Sequence, residues 1–206
     1  AQYTRDELHA AVTEAHRHGL AITAHAHGTS AITDAVAVGM DGLEHATFMT
    51  TDGVDEIPGE LLATLGRGEP VLSLTFGIAP VSGAGPPPGV LARMPALIAN
   101  ARRMYHAGAR IIVGSDAGLG PAKPPDAVRY ALPQLQQIGM SPAEALHACT
   151  ARAASALGLG DRKGRIAPRY DADMLVVNGN PLTDPAAIHR IRAVYLRGTA
   201  LPDGSS

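Results

Sequence analysis

Residues 21–47 read AITAHAHGTSAITDAVAVGMDGLEHAT. A short apolar run, residues 20–24, closes on His25. A helix-type stretch, residues 30–38, is stopped by Gly39. A second short run, residues 42–44, closes on His45. Strand, helix and strand of the same sense make the crossover unit of a parallel sheet. The pattern recurs downstream. Residues 61–67 suit a helix before Gly68, and residues 71–75 form a buried-type strand. Residues 91–107 form a strong helix ended by Gly108, and residues 110–115 a strand with Ile111, Ile112 and Val113 at its heart, closing on Asp116. Parallel strands are covered on both faces, so their apolar runs are continuous.

Upstream, Thr4 and Glu7 form a capping box that opens an Ala-rich helix to about His18, with Gly19 as its stop. Two proline- and glycine-rich loops, residues 77–90 and 118–125, follow strand ends, where long loops carry function as often as they are plain insertions. Residues 126–138 read as a helix kinked at Pro133. Ser141, Pro142 and Glu144 open another helix running to about Leu157. After Gly160 the texture changes, and β-type runs at 174–177 and 193–196 suggest a separate β unit. The expected division is 1–160 and 161–206. The fold class is α/β.

Bulk properties exclude some functions. The 206 residues carry a net charge of −2, with 46% hydrophobic and 17% charged residues. That balance offers no attraction to nucleic acid or to an anionic membrane. No apolar run nears the ~18 residues that span a bilayer. The single cysteine, Cys149, rules out an internal disulfide, fits a reducing, cytoplasmic setting, and reads as a core residue. The chain begins at Ala1, and a leader on a longer precursor stays open.

The chemistry concentrates at three strand ends. His25, His45 and Asp116 each follow an apolar run and precede a loop. In a barrel of alternating strands and helices, the carboxyl ends converge on one mouth. Neutral imidazole and carboxylate are natural ligands of Zn²⁺ and similar ions. Such an ion lowers the pKa of bound water from 15.7 to about 7, and a nearby carboxylate can move the water's proton to a leaving nitrogen. Asp116 suits that role. Taken singly, Asp116 also reads as a turn cap near Gly118, and His45 as a satisfied core histidine. The same placement three times favours function. His27 shares a strand face with His25 and could in principle bind a metal too, but Gly28 follows it directly, so the ligand role is given to His25 and a substrate contact is expected of His27. His16 and His18 sit at a helix end, where residues two apart face different ways. His9, His106, His147 and His189 read as structural or exposed.

With those residues in place, three stretches resemble the amidohydrolase superfamily, in its imidazolonepropionase-like and Xaa-Pro-dipeptidase-like branch. They are residues 21–47, IIVGSDAG at 111–118, and SPAEALHACTARAASALGLGDRKGRIAPRYDADMLVVNGNPL at 141–182. The resemblance implies strands five to eight of a distorted TIM barrel, followed by strands of a small β-sandwich. It implies one or two divalent ions, Zn first among them. With two metals, His25 and His45 hold one ion and Asp116 the other. With one, His25 and Asp116 hold it, while His45 bonds the attacking water or the substrate. The implied reaction is hydrolysis of a C–N bond in an amide, cyclic amide or dipeptide. A deaminase of the same superfamily and a non-catalytic half-barrel are the alternatives. The expected partner is a small-molecule or dipeptide substrate, with the full-length parent a homo-oligomer.

Two departures matter. The family takes an HxH pair from strand one and often a lysine from strand four, whereas the two lysines here, Lys123 and Lys163, end no strand. A full barrel takes about 250 residues, so the chain is expected to be the second half of one, inactive by itself, with two strand edges exposed. Arg169 also stands where the family usually has glycine, in the turn before Asp171-Ala172-Asp173.

Overall fold

The structure is a computed structural model that describes residues 2–81, 87–118 and 120–202. The opening helix α1 (Arg5–Arg17) starts where the sequence says it should. The Thr4 hydroxyl accepts the Glu7 amide, and the Glu7 carboxylate accepts the Thr4 amide. Next come β1 (Thr23–Ala26), α2 (Thr29–Ala37), β2 (Gly42–His45), α3 (Gly59–Leu65), β3 (Val71–Leu74), α4 (Pro88–Ala107) and β4 (Ile111–Val113). The four strands lie in the order β1-β2-β3-β4, every pair parallel.

Register decides what each face does. Ala24, Leu43, Leu72 and Ile111 form one row across the sheet, and His25, Glu44, Ser73 and Ile112 form the next. Successive rows point to opposite faces. The first face is buried against helices. Leu43, Leu72 and Ile111 join Ile32 of α2, Leu65 of α3 and Met104 of α4 in one core. The other face carries Thr23 and His25 exposed, with Glu44 and Ile112 half-buried. In the same row Ser73 is buried, so the coverage of both faces expected from the apolar runs holds at β3 and gives way at the β1 edge. The other face bears polar side chains that the apolar runs had concealed.

After β4 the chain makes a 3-10 turn (Ala127–Tyr130), α5 (Ala131–Gln137), α6 (Pro142–Cys149) and α7 (Ala151–Ala156). The single kinked helix expected over 126–138 is two pieces, broken before Pro133. Proline is tolerated in a helix's first turn, where its missing N–H costs nothing, so the break moves upstream. The helix expected to run to Leu157 is also divided, at Thr150 (φ −127°, ψ −95°). Its hydroxyl donates to the Leu146 carbonyl at 2.7 Å, a local bond that competes with helix continuation. Of the two expected loops, 77–90 gives up Pro88 onward to α4, while Pro86 and its neighbours 82–85 lie outside the described residues. Leu119, in the second loop, does too.

The remainder is a small antiparallel sheet of β5 (Met174–Val177), β6 (Ile191–Leu196) and β7 (Thr199–Ala200), in that order. The turn into β5 is pinned by Lys163, whose Nζ lies 2.8 Å from Asp171 Oδ2 and 2.5 Å from Asp173 Oδ2. Within it Arg169 has φ 70°, a left-handed conformation that glycine adopts freely. Among the described residues, no helix is long and apolar enough to cross a membrane.

Candidate active site

His25 lies inside β1 rather than beyond it, with its partner in register being Glu44. His45 is the last residue of β2. Asp116 stands past the end of β4, after Gly114 and Ser115. His45 and Asp116 share a feature that the sequence hides. Both are left-handed, at φ 74° and 48°. Such a conformation costs an L-residue roughly 1–2 kcal/mol, although histidine and aspartate are enriched there. Strain of this kind clusters at functional sites. Here it breaks the strand alternation and turns each side chain into the space beyond the sheet.

The imidazoles assemble closely. His25 Nδ1 and His45 Nε2 are 2.7 Å apart. The His45 ring stacks on His27, with centroids 4.3 Å apart. His45 Nδ1 lies 3.0 Å from Thr75 Oγ1, and His27 Nδ1 lies 2.9 Å from Thr47 Oγ1. With Thr75 accepting from Nδ1–H, His45 keeps its Nε2 lone pair directed at His25. A partner on the second ring nitrogen is how a ligating histidine is oriented.

Burial first, and neighbouring charges second, lower the pKa of His45 and of His27. Burial, the neighbouring His27 and His25, and Lys123 hold the His45 pKa at about 4, against a partial opposing pull from Asp116. His27 is lowered too, by burial first and by His25 second. Lys123 is lowered by burial, opposed by Asp116.

The expected site residues are brought together in part. His45, His27 and Asp116 line one cavity of about 450 Å³, and Lys123 reaches into it. His25 instead faces the adjoining cleft at the β1 edge, with His27 between the two. Its connection to the first cavity runs through the His45 contact. Among the described residues, no three His, Cys, Asp or Glu side chains gather closely enough to hold a metal ion. The donor chemistry fits a borderline divalent ion nonetheless. Two imidazole nitrogens confront each other, and His45 stays unprotonated at neutral pH, as a ligand must. They supply two donors, and tetrahedral zinc takes four.

Two contributors were not found from the sequence. Thr75 orients His45, and its only signal was a hydroxyl ending a strand. Lys123 Nζ donates to the Thr75 carbonyl at 2.5 Å and the Ser115 carbonyl at 3.2 Å. It ties the ends of β3 and β4 together beside both candidate groups, yet lies in a proline-rich loop far from any strand motif. The remaining histidines behave as expected from their helix ends. His16 pairs with Asp41 at 2.9 Å, and His18 with Glu14 at 3.0 Å.

Comparison with known proteins bears on this arrangement. The chain is 30% identical over 203 residues to ochratoxinase of Aspergillus niger, covering 94% of this chain and 40% of that enzyme. It is 36% identical over 115 residues to imidazolonepropionase of Deinococcus deserti, covering 54% of this chain and 29% of that enzyme. In three dimensions it superposes on a Xaa-Pro dipeptidase with a TM-score of 0.79 at 23% identity, a likeness of fold, covering 97% of this chain and 49% of the other. The chain thus spans less than half the length of each. The model of the Amidohydrolase family matches residues 1–201. The chain belongs to the amidohydrolase family.

Proposed function

We propose that this chain carries strands five to eight of a TIM barrel and part of the metal site of a hydrolase that cleaves C–N bonds. Residues 1–160 make up that half-barrel, and 161–206 hold strands of a β-sandwich and a terminal segment. The observation that carries the reading is the meeting of His25 and His45 at 2.7 Å on neighbouring parallel strands, with Asp116 on the same cavity as His45. The span of about half of each solved relative supports the half-barrel, as does a sheet with β1 and β4 at its edges and polar side chains on its second face.

His25 and His45 are the nitrogen ligands, and Asp116 is the carboxylate, as ligand or as acid–base group. With a single ion, His25 and Asp116 would hold it, and His45 would hydrogen-bond the attacking water or the substrate. If bound, a divalent ion, zinc first among candidates, would supply a Lewis acid that brings the pKa of bound water from 15.7 to about 7. Asp116 accepts the attacking water's proton on a carboxylate oxygen and returns it to the leaving nitrogen. Thr75 fixes the His45 tautomer. Lys123 fixes the backbone on either side. His27 contacts the substrate. The substrate is an amide, cyclic amide or dipeptide, the remaining ligands come from the rest of the whole protein, and that protein is a homo-oligomer.

The test is metal analysis of the whole protein together with Asp116→Asn. Stoichiometric zinc, manganese or iron and a loss of roughly 10²–10⁴ in kcat support the reading. Absence of stoichiometric metal with unchanged turnover rejects it. Turnover of an aminopurine instead of an amide turns the assignment to a deaminase.

A further inference from the structure

The cavity beside His45 and Asp116 is lopsided. Its lining is mostly apolar, with polar side chains from the loops after the strands and Gln134 of α5. Phe76 and Ile78 of the loop after β3 line it together with Val90, Met94 and Leu97 of α4. Among the described residues that line it, Asp116 and Lys123 are the only Asp, Glu, Lys or Arg side chains. The volume, about 450 Å³, lies within the range of small-molecule sites, which pair an apolar wall with a few placed polar groups. The apolar wall ends on the same side chains that carry the proposed chemistry.

We infer that this wall is the specificity pocket of the site, and that it receives a bulky, uncharged apolar arm of the substrate, an aryl or branched alkyl group attached to the amide. The inference rests on the hydrolase reading for the word substrate, but the pocket's selectivity is measurable without turnover. An apolar arm gains roughly fourfold in affinity per buried methylene. A charged arm would be stripped of water against the apolar side chains, and Lys123 is already held by two carbonyls. Small or charged amides are therefore poor ligands.

The chain's six methionines make the test direct. Met49, Met94 and Met104 line the cavity, whereas Met40, Met140 and Met174 do not. The full 206-residue chain, labelled at its methionine methyl groups, is titrated with N-benzylacetamide and with N-methylacetamide while methyl NMR shifts are followed. N-Benzylacetamide should move Met49, Met94 and Met104 along one isotherm, leave the other three in place, and bind at least tenfold tighter than N-methylacetamide. Leu97→Gln should weaken it several-fold, with unshifted Met40 and Met140 signals reporting an intact fold. Shifts spread over all six methyls, equal affinity for the two amides, or unchanged affinity in Leu97→Gln would each overturn the inference. A whole protein without metal or hydrolysis would remove the proposed function and leave this pocket standing. Failure of the titration would remove the pocket and leave the hydrolase with another substrate.

Discussion

Replacing Gly77 by alanine tests how tightly the cavity is framed. Gly77 follows Phe76 with φ 97°, and its amide donates to the Gln134 side chain of α5 at 2.7 Å. A Cβ built there lies 2.2 Å from the Ala127 carbonyl oxygen and 2.9 Å from its carbon. Both atoms are backbone, so no rotamer change relieves the overlap, and the turn at Ala127–Tyr130 must move. Two terms add. The left-handed backbone costs alanine roughly 1–2 kcal/mol, partly offset by the lost freedom of the unfolded chain. Overpacking adds roughly 1–3 kcal/mol. The expected total is about 2–4 kcal/mol. Gly39→Ala is the matched control, because Gly39 has φ 82° and no atom within 4 Å of its built Cβ. It should cost only about 1 kcal/mol, the backbone term alone. Urea unfolding of both variants reads the difference directly, provided the slopes are unchanged. If Gly77→Ala falls within about 0.5 kcal/mol of Gly39→Ala, the close approach to Ala127 does not govern this turn, and the reasoning fails.

Three further outcomes follow from particular groups. Arg169→Gly should stabilise the chain by about 0.5–1 kcal/mol, the relief at φ 70° less glycine's greater unfolded entropy, and a fall in melting temperature would refute this. His45 should remain neutral in NMR titration until pH nears 4. Unfolded, it protonates near 6.5, so between those values the unfolded state binds more protons. Its contribution to stability is then complete above pH 6.5 and is lost as pH falls through 4, and His45→Asn should flatten the profile in that window. The Cys149 thiol, pushed to about 12 by burial, should resist a soluble alkylating reagent at pH 8 until the chain unfolds. Rapid labelling of the folded chain would contradict that burial.

How much of this was legible in the sequence depends on the range of the cause. Capping is local, so Thr4 with Glu7 and Ser141 with Glu144 announce α1 and α6 correctly. The strands were legible because apolar runs closed by glycine turns report burial, yet β1 starts three residues later than its apolar run. Leu20, which opens that run, is exposed, so hydrophobicity there marked no strand. Helix breaks at Tyr130 and Thr150 went unseen, since propensity carries no record of where a helix must turn to stay on the sheet. Arg169 is a contrary case. The sequence marked it only as a departure from the family's usual glycine, and its φ of 70° lies in the region glycine adopts freely.

The candidate site divides along the same line. Sequence spacing reached the chain positions of His25, His45 and Asp116, because strand ends follow from burial patterns. Spacing could not say how the side chains would meet. Strict alternation puts Leu43 and His45 on one face of β2 and Glu44 on the other, which would drive His45 toward the helices. The positive φ of His45 and Ala46 overrides that alternation and swings the imidazole to His25 and His27. Thr75 then holds it through a contact 30 residues away in sequence, and Lys123, 48 residues further on, donates to the Thr75 carbonyl. A left-handed kink at a strand end is a local cost, and only the long-range cluster it permits can offset it. The two observations therefore imply each other. Relaxing the kink should scatter the imidazoles, and removing Thr75 or Lys123 should leave the kink with less to maintain it.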